Sequence, residues 1–138
     1  MQDIINVISP TWYKKDGASS EQLEQLKSQL KFKLPFEYES FLTWSNGGEG
    51  RIGNNYFSLW NCEQVPRRNV STQINFYLPG VLGIATDGGD YCYALDYTIS
   101  DTNPPLVLVP LGDLDFTSFV TIGSSFIEGL RNLLTTDF

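Results

Sequence analysis

The chain predicts an α+β fold: one mixed or antiparallel sheet of about four to six short strands, with helices packed at its N-terminal side and on its face. Three observations carry this. Residues 34–48 read as an amphipathic helix with both ends written into it, and residues 81–97 read as a hairpin closed by Asp87-Gly88-Gly89-Asp90. Capping signals at Ser19 and Ser125 open further helices on either side of the strand-rich middle. The chain has 138 residues, of which 41% are hydrophobic and 14% aromatic. That predicts a single domain over residues 1–138 that buries roughly 65–70% of its unfolded surface without a metal or disulfides as staples.

In order, Ile4, Ile5, Val7 and Ile8 predict a short helix or extended arm that stops before Pro10, docked by Trp12 and Tyr13. A Gly-Ala-Ser-Ser linker leads into a helix over residues 21–30. Leu23, Leu26 and Leu30 mark its buried face, and Ser19 with Gln22 makes the capping box. In the central helix Pro35 suits the first helical position. Leu34, Tyr38, Phe41, Leu42 and Ser45 form its apolar stripe, widened by Phe36 and Trp44. Asn46-Gly47-Gly48 ends it, because glycine reaches the left-handed conformation that closes a helix.

Residues 48–53 then read as a flexible helix-to-strand loop. Residues 56–60, alternating and aromatic, read as the first strand. Val65, Asn69 and Ile74 suit a helix after Pro66. The hairpin follows, with strands over 81–86 and 91–97. Residues 107–111 form another strand that Pro110 ends or places at an edge, and residues 119–122 add a short one. Ser125 and Glu128 then cap a closing helix over 126–134, with Phe126, Leu130, Leu133 and Leu134 facing inward.

Two of these stretches carry a resemblance. Leu34-Pro35-x-x-Tyr38-x-x-Phe41-Leu42 followed by Asn46-Gly47-Gly48 resembles the SUKH superfamily, the Smi–Knr type of domain. The strand, glycine-rich turn and strand from Leu78 to Asp96 look like that family's, and so does the closing helix. The family usually carries Glu and Gly where this chain has Lys27 and Lys31, so no role attached to that Glu carries over. The resemblance implies a binding function: an immunity protein that neutralises a bacterial toxin, or an intracellular adaptor or regulator of the same fold. The family also includes fungal cell-wall regulators.

Chemistry read from the residues themselves points away from catalysis. There is no histidine, which removes the Ser-His-Asp and Cys-His machineries and the commonest metal ligand. Gly48-Glu49-Gly50-Arg51-Ile52-Gly53 spells the dinucleotide fingerprint but follows a helix and precedes a strand, the reverse of the order that motif needs. No Lys follows Gly53 as in a phosphate-binding loop, and Asp87-Gly-Gly-Asp90 lacks EF-hand spacing, so a plain turn is the reading there. Asp113 and Asp115 read as solvated rather than as an acid–base pair, and Trp44 and Trp60 as core residues. A small hydrolase is the remote alternative; no cofactor or metal is expected. Two widely separated cysteines, Cys62 and Cys92, read as buried free thiols in a reducing cytoplasm. Neither a signal peptide nor a membrane span is evident.

Charge supplies the candidate surface. The net formal charge is −7, and no Lys or Arg occurs between Arg68 and Arg131. Such a surface repels nucleic acid and attracts cationic partners. The candidate partner-binding residues are Glu49 on the glycine loop, Asp87, Asp90, Asp96, Asp101, Asp113 and Asp115. The expected partner is a cognate protein toxin with a basic surface, for instance a nuclease, rather than a nucleic acid or a membrane.

Overall fold

A computed structural model describes residues 1–138. Its centre is a single antiparallel sheet whose seven strands lie side by side in chain order. They are β1 (Trp12–Tyr13), β2 (Glu49–Ile52), β3 (Asn55–Leu59), β4 (Val81–Thr86), β5 (Tyr91–Asp96), β6 (Leu106–Pro110) and β7 (Val120–Gly123). The expectation of one sheet with helices holds, but four to six strands was too few.

The two additional strands occupy one edge. β1 is only two residues long, with Trp12 facing Gly50 and Tyr13 facing Glu49, too short to leave a pattern. β2 replaces the expected flexible loop. Its exposed and buried positions alternate as a half-covered strand should, but one buried position is Gly50. A Cβ there would lie 2.1 Å from the Thr11 carbonyl oxygen, so the close approach of β1 requires glycine. The glycine that lets the strand pair also erases its hydrophobic signature.

Helices cover both faces. On one lie α1 (Gln2–Ile8), α3 (Phe36–Trp44) and α6 (Phe126–Thr135). Phe41 of α3 stacks on Phe57 of β3, with ring centroids 6.3 Å apart, and Tyr38 meets Phe126 of α6 edge-on at 5.5 Å. Leu34, Tyr38, Phe41, Leu42 and Ser45 are all buried, as the apolar stripe predicts. Two details differ. Pro35 is the N-cap rather than the first helical residue, and Phe36, 77% exposed, points away from the sheet instead of widening the stripe. Tyr13 likewise does not dock the N-terminal helix: it is 79% exposed, and Trp12 alone enters the core.

The opposite face carries α4 (Gln64–Ser71) and the short α5 (Ile74–Tyr77). Successive strand residues point to opposite sides. Tyr93 therefore packs on Phe57 at 4.5 Å, while Cys92 lies with Ile74 and Trp60 around Gly83. The β4–β5 register slips between Gly83 and Ala85, and the buried amide of Asn69 repairs the slip. Its Nδ2 donates to the Gly83 carbonyl at 2.9 Å and its Oδ1 accepts from the Gly83 N–H at 2.8 Å. Cys62 and Cys92 are free and buried. Burial pushes the Cys62 thiol up to about 11 and the Cys92 thiol up to about 12.

The remaining helix, α2 (Ser20–Ser28), begins at the predicted capping box, with Ser19 and Gln22 each bonding the other's backbone. Lys27 ties it to α3 through Glu39 at 3.1 Å. Leu26 is buried, while Leu23 and Leu30 pack at the margin of the core. α4 and α5 leave the sheet uncovered at its β1–β3 side, where Tyr13, Glu49 and Arg51 are exposed and Ser58 is half-buried. No helix is long and apolar enough to cross a membrane.

Candidate partner-binding site

The strand registers decide which of the seven candidate carboxylates share a surface. One row across the sheet runs from Glu49 to Ser58, Thr86, Cys92 and Val109. Beyond that row lie the β4–β5 turn, with Asp87 and Asp90, and the β6–β7 connection, with Asp113 and Asp115. The Leu111 N–H donates to the Asp90 carbonyl at 2.8 Å, which fastens the two connections together. Glu49, Asp87, Asp90, Asp113 and Asp115 therefore share one end of the sheet, and all but Asp87, which is half-buried, are exposed. Asp96 and Asp101 do not join them. Asp96 pairs with Val81 at the far ends of their strands, and Asp101 lies in the β5–β6 connection beyond it. Asp96 is also only 5% exposed, its Oδ1 accepting from the N–H and Oγ1 of Thr98 at 3.0 and 2.5 Å. That carboxylate holds a turn and is not part of an exposed face.

Several members of the acidic end have local partners. Asp87 Oδ1 accepts from the N–H groups of Gly89 and Tyr91 at 2.9 and 3.3 Å, an Asx-type turn that sets the hairpin. Asp115 Oδ1 accepts from Thr117 N–H and Oγ1, both at 2.8 Å, and these bonds hold its carboxyl below the usual carboxylate range. Asp113 accepts from Ser118 Oγ at 2.6 Å. Glu49 accepts a hydrogen bond from the Tyr56 hydroxyl, and this carboxylate raises the Tyr56 phenol above its ordinary value. The Asp90 side chain has no hydrogen bond or ion pair, so it is the one member wholly available to a partner.

Beside Glu49 the structure adds a feature the sequence reading missed. Ser45, the last residue of the apolar stripe, is a buried junction at the end of α3. Its Oγ accepts from Trp12 Nε1 at 3.2 Å and the Lys15 N–H at 3.0 Å, and donates to the Gly47 carbonyl at 2.7 Å. Gly47 and Gly48 follow at φ +94° and +90°, turning the chain into β2. Between this turn, the start of α2 and α4 opens a hollow of about 420 Å³. Arg68 lies against it, its guanidinium 5.6 Å from the Trp60 ring centroid. The only sequence signal was a serine where the helical period calls for an apolar residue. No group of three or more His, Cys, Asp or Glu side chains is arranged to hold a metal ion.

Compared with curated proteins, the chain matches none. The sequence profile of the SMI1 / KNR4 family (SUKH-1) matches residues 17–132, from the linker before α2 into α6. That span contains the Ser45 junction, the glycine turn and every carboxylate of the acidic end. With most of its length matched and the α+β architecture in place, the chain belongs to the SMI1 / KNR4 family (SUKH-1).

Proposed function

We propose that this protein is an immunity protein that binds a basic protein toxin through the acidic end of its sheet and neutralises it by direct contact. The observation that carries the reading is the placement of Glu49, Asp87, Asp90, Asp113 and Asp115 at one sheet end, in a chain with no Lys or Arg between Arg68 and Arg131. Membership of a family that includes toxin immunity proteins supports it. A nuclease holds phosphates on a basic surface, and an array of carboxylates competes for that surface as a charge mimic. Encounter is then steered by long-range attraction, so the on-rate falls as salt rises.

The test is co-expression with the toxin encoded beside the gene, scored by survival and by recovery of a stoichiometric complex. Asp90→Lys is the cleanest reversal, because its side chain supports no local structure, whereas Asp87→Lys would also break the hairpin turn. Suppressed toxicity, with an on-rate that drops several-fold for Asp90→Lys at low salt, is the expected result. Binding with an unchanged salt slope overturns this surface; failure to suppress toxicity overturns the immunity role and leaves an adaptor of the same fold.

A further inference from the structure

The hollow beside Glu49 has a chemical bias that its residue names alone do not show. Four amide side chains line it, those of Gln22, Asn46, Asn61 and Gln64. In each, the oxygen is already taken by a backbone N–H. Gln22 Oε1 accepts from Ser19 and Gln64 Oε1 from Asn61, while Asn61 Oδ1 accepts from Gln64 and Asn46 Oδ1 from Cys62, all at 2.9 Å. These bonds fix which way round each amide sits. An amide whose oxygen already accepts one bond keeps both N–H donors and a single lone pair, and none of the four NH₂ groups donates to anything in the protein. The two cations at the hollow, Lys15 and Arg68, have no carboxylate within ion-pair distance. Arg68 is instead spread over the Trp60 ring, which orients its fork without occupying its N–H groups.

We propose that this hollow is a receptor for a carboxylate-bearing peptide segment. Across these six side chains free donors outnumber free acceptors at least two to one, which matches the oxygens of an acidic side chain and the carbonyls of the backbone carrying it. Asp16 and Glu49, which also line the hollow, and a net charge of −7 oppose a free polyanion. A peptide, which brings its own N–H groups to those acceptors, satisfies both kinds of lining. The assignment stands apart from the toxin reading, because the two share only Glu49, the donors it rests on are not part of the acidic end, and its test needs the protein alone.

The experiment is a titration of ¹⁵N-labelled full-length protein at about 0.15 M salt, where long-range repulsion is screened beyond roughly 8 Å. The probes are acetyl-Glu-Glu-Glu-amide, acetyl-Gln-Gln-Gln-amide and inorganic phosphate, and the readout is the side-chain NH₂ resonances of Gln22, Asn46, Asn61 and Gln64. The expected result is saturable movement of these signals with the glutamate peptide and little with the glutamine peptide. Arg68→Gln should weaken binding about ten- to hundredfold, the range for hydrogen bonds to a charged group. Lys15→Gln, at an exposed position that cannot compromise folding, should weaken it several-fold. Equal binding of both peptides refutes the carboxylate requirement. Phosphate binding without peptide binding refutes the peptide assignment. No movement of the NH₂ signals at about 10 mM peptide refutes the site.

Discussion

Truncating Phe41 to alanine tests the core at its most crowded point. The ring is fully buried and surrounded by four others, with centroids 5.4 Å away at Trp12, 5.8 Å at Trp44, 6.2 Å at Phe126 and 6.3 Å at Phe57. A buried Phe→Ala change costs about 3–5 kcal/mol through lost burial and the cavity left behind. The upper part of that range applies here. Each aromatic pair adds roughly 0.5–1.5 kcal/mol, and the neighbours are anchored in different elements, so the site cannot collapse. Against a total stability of about 5–15 kcal/mol the loss is large. With a urea slope of about 2 kcal/mol/M, the unfolding midpoint falls by about 2 M. Phe36→Ala is the control in the same helix: that ring is 77% exposed, so its removal should change stability by no more than about 0.5 kcal/mol. A loss under about 1 kcal/mol at Phe41, or equal losses at both positions, refutes this account of the buried face.

Tyr38 has a buried hydroxyl with no hydrogen-bond partner, so Tyr38→Phe should be neutral or stabilising by about 1 kcal/mol in thermal unfolding. A loss above about 1 kcal/mol would reveal a partner for that hydroxyl. Asn69→Ala strips the irregular step in β4 of both bonds to Gly83 and should cost about 2–3 kcal/mol, with Gly83 amide exchange accelerating. An unprotected Gly83 amide in the wild type would contradict this. The thiols give a pH dependence. Their folded-state pKa values, about 11 and about 12, lie above the ordinary value of 9.0, so the folded state holds its protons more tightly. Their contribution to stability is full below about pH 9 and is lost as the pH rises through 11 to 12. At pH 8 neither native thiol should react with a disulfide reagent, and reductant should leave the Tm unchanged. Rapid native labelling would sink this assignment.

The sequence announces elements whose ends carry their own chemistry. The Ser19–Gln22 box, the Asp87-Gly-Gly-Asp90 turn and the Ser125 cap each need only local residues, so α2, the β4–β5 hairpin and α6 were legible. What stayed hidden depends on distant partners. β2 is invisible because Gly50 stands at a core position to admit β1, and β1 exists only because that space was left. Phe36 is apolar yet exposed because it points off the buried side: Leu34 before it and Tyr38 after it are buried, and two residues on from Phe36 the helix has turned by about 200°. The acidic run was visible, but its division between two sheet ends required the strand order: chain proximity groups Asp96 with Asp90, while the hairpin places them at opposite ends. The hollow was least legible of all, since its donor character comes from which end of each amide faces a backbone N–H.

A sheet laid down in chain order also bears on how the molecule assembles. Each strand pairs only with its neighbours along the chain, although β1 must wait for β2 across α2 and α3, and β3 for β4 across α4 and α5. β2 and β3 are joined only by Gly53 and Asn54, and β4 and β5 only by residues 87–90, so these closures are entropically mild and fast for a β-rich protein. The final helix behaves differently. Asn55 Nδ2 reaches across the whole sheet's worth of sequence to the carbonyls of Leu133 and Thr136 at 2.8 and 2.7 Å, sealing α6 against the β2–β3 end. These bonds join the contacts of Phe126 with Tyr38 and Phe41 in closing the longest loops of the fold. If they form after the rate-limiting step, Asn55→Ala should speed unfolding and leave the folding rate unchanged, and a slowed folding rate would place them in the nucleus instead.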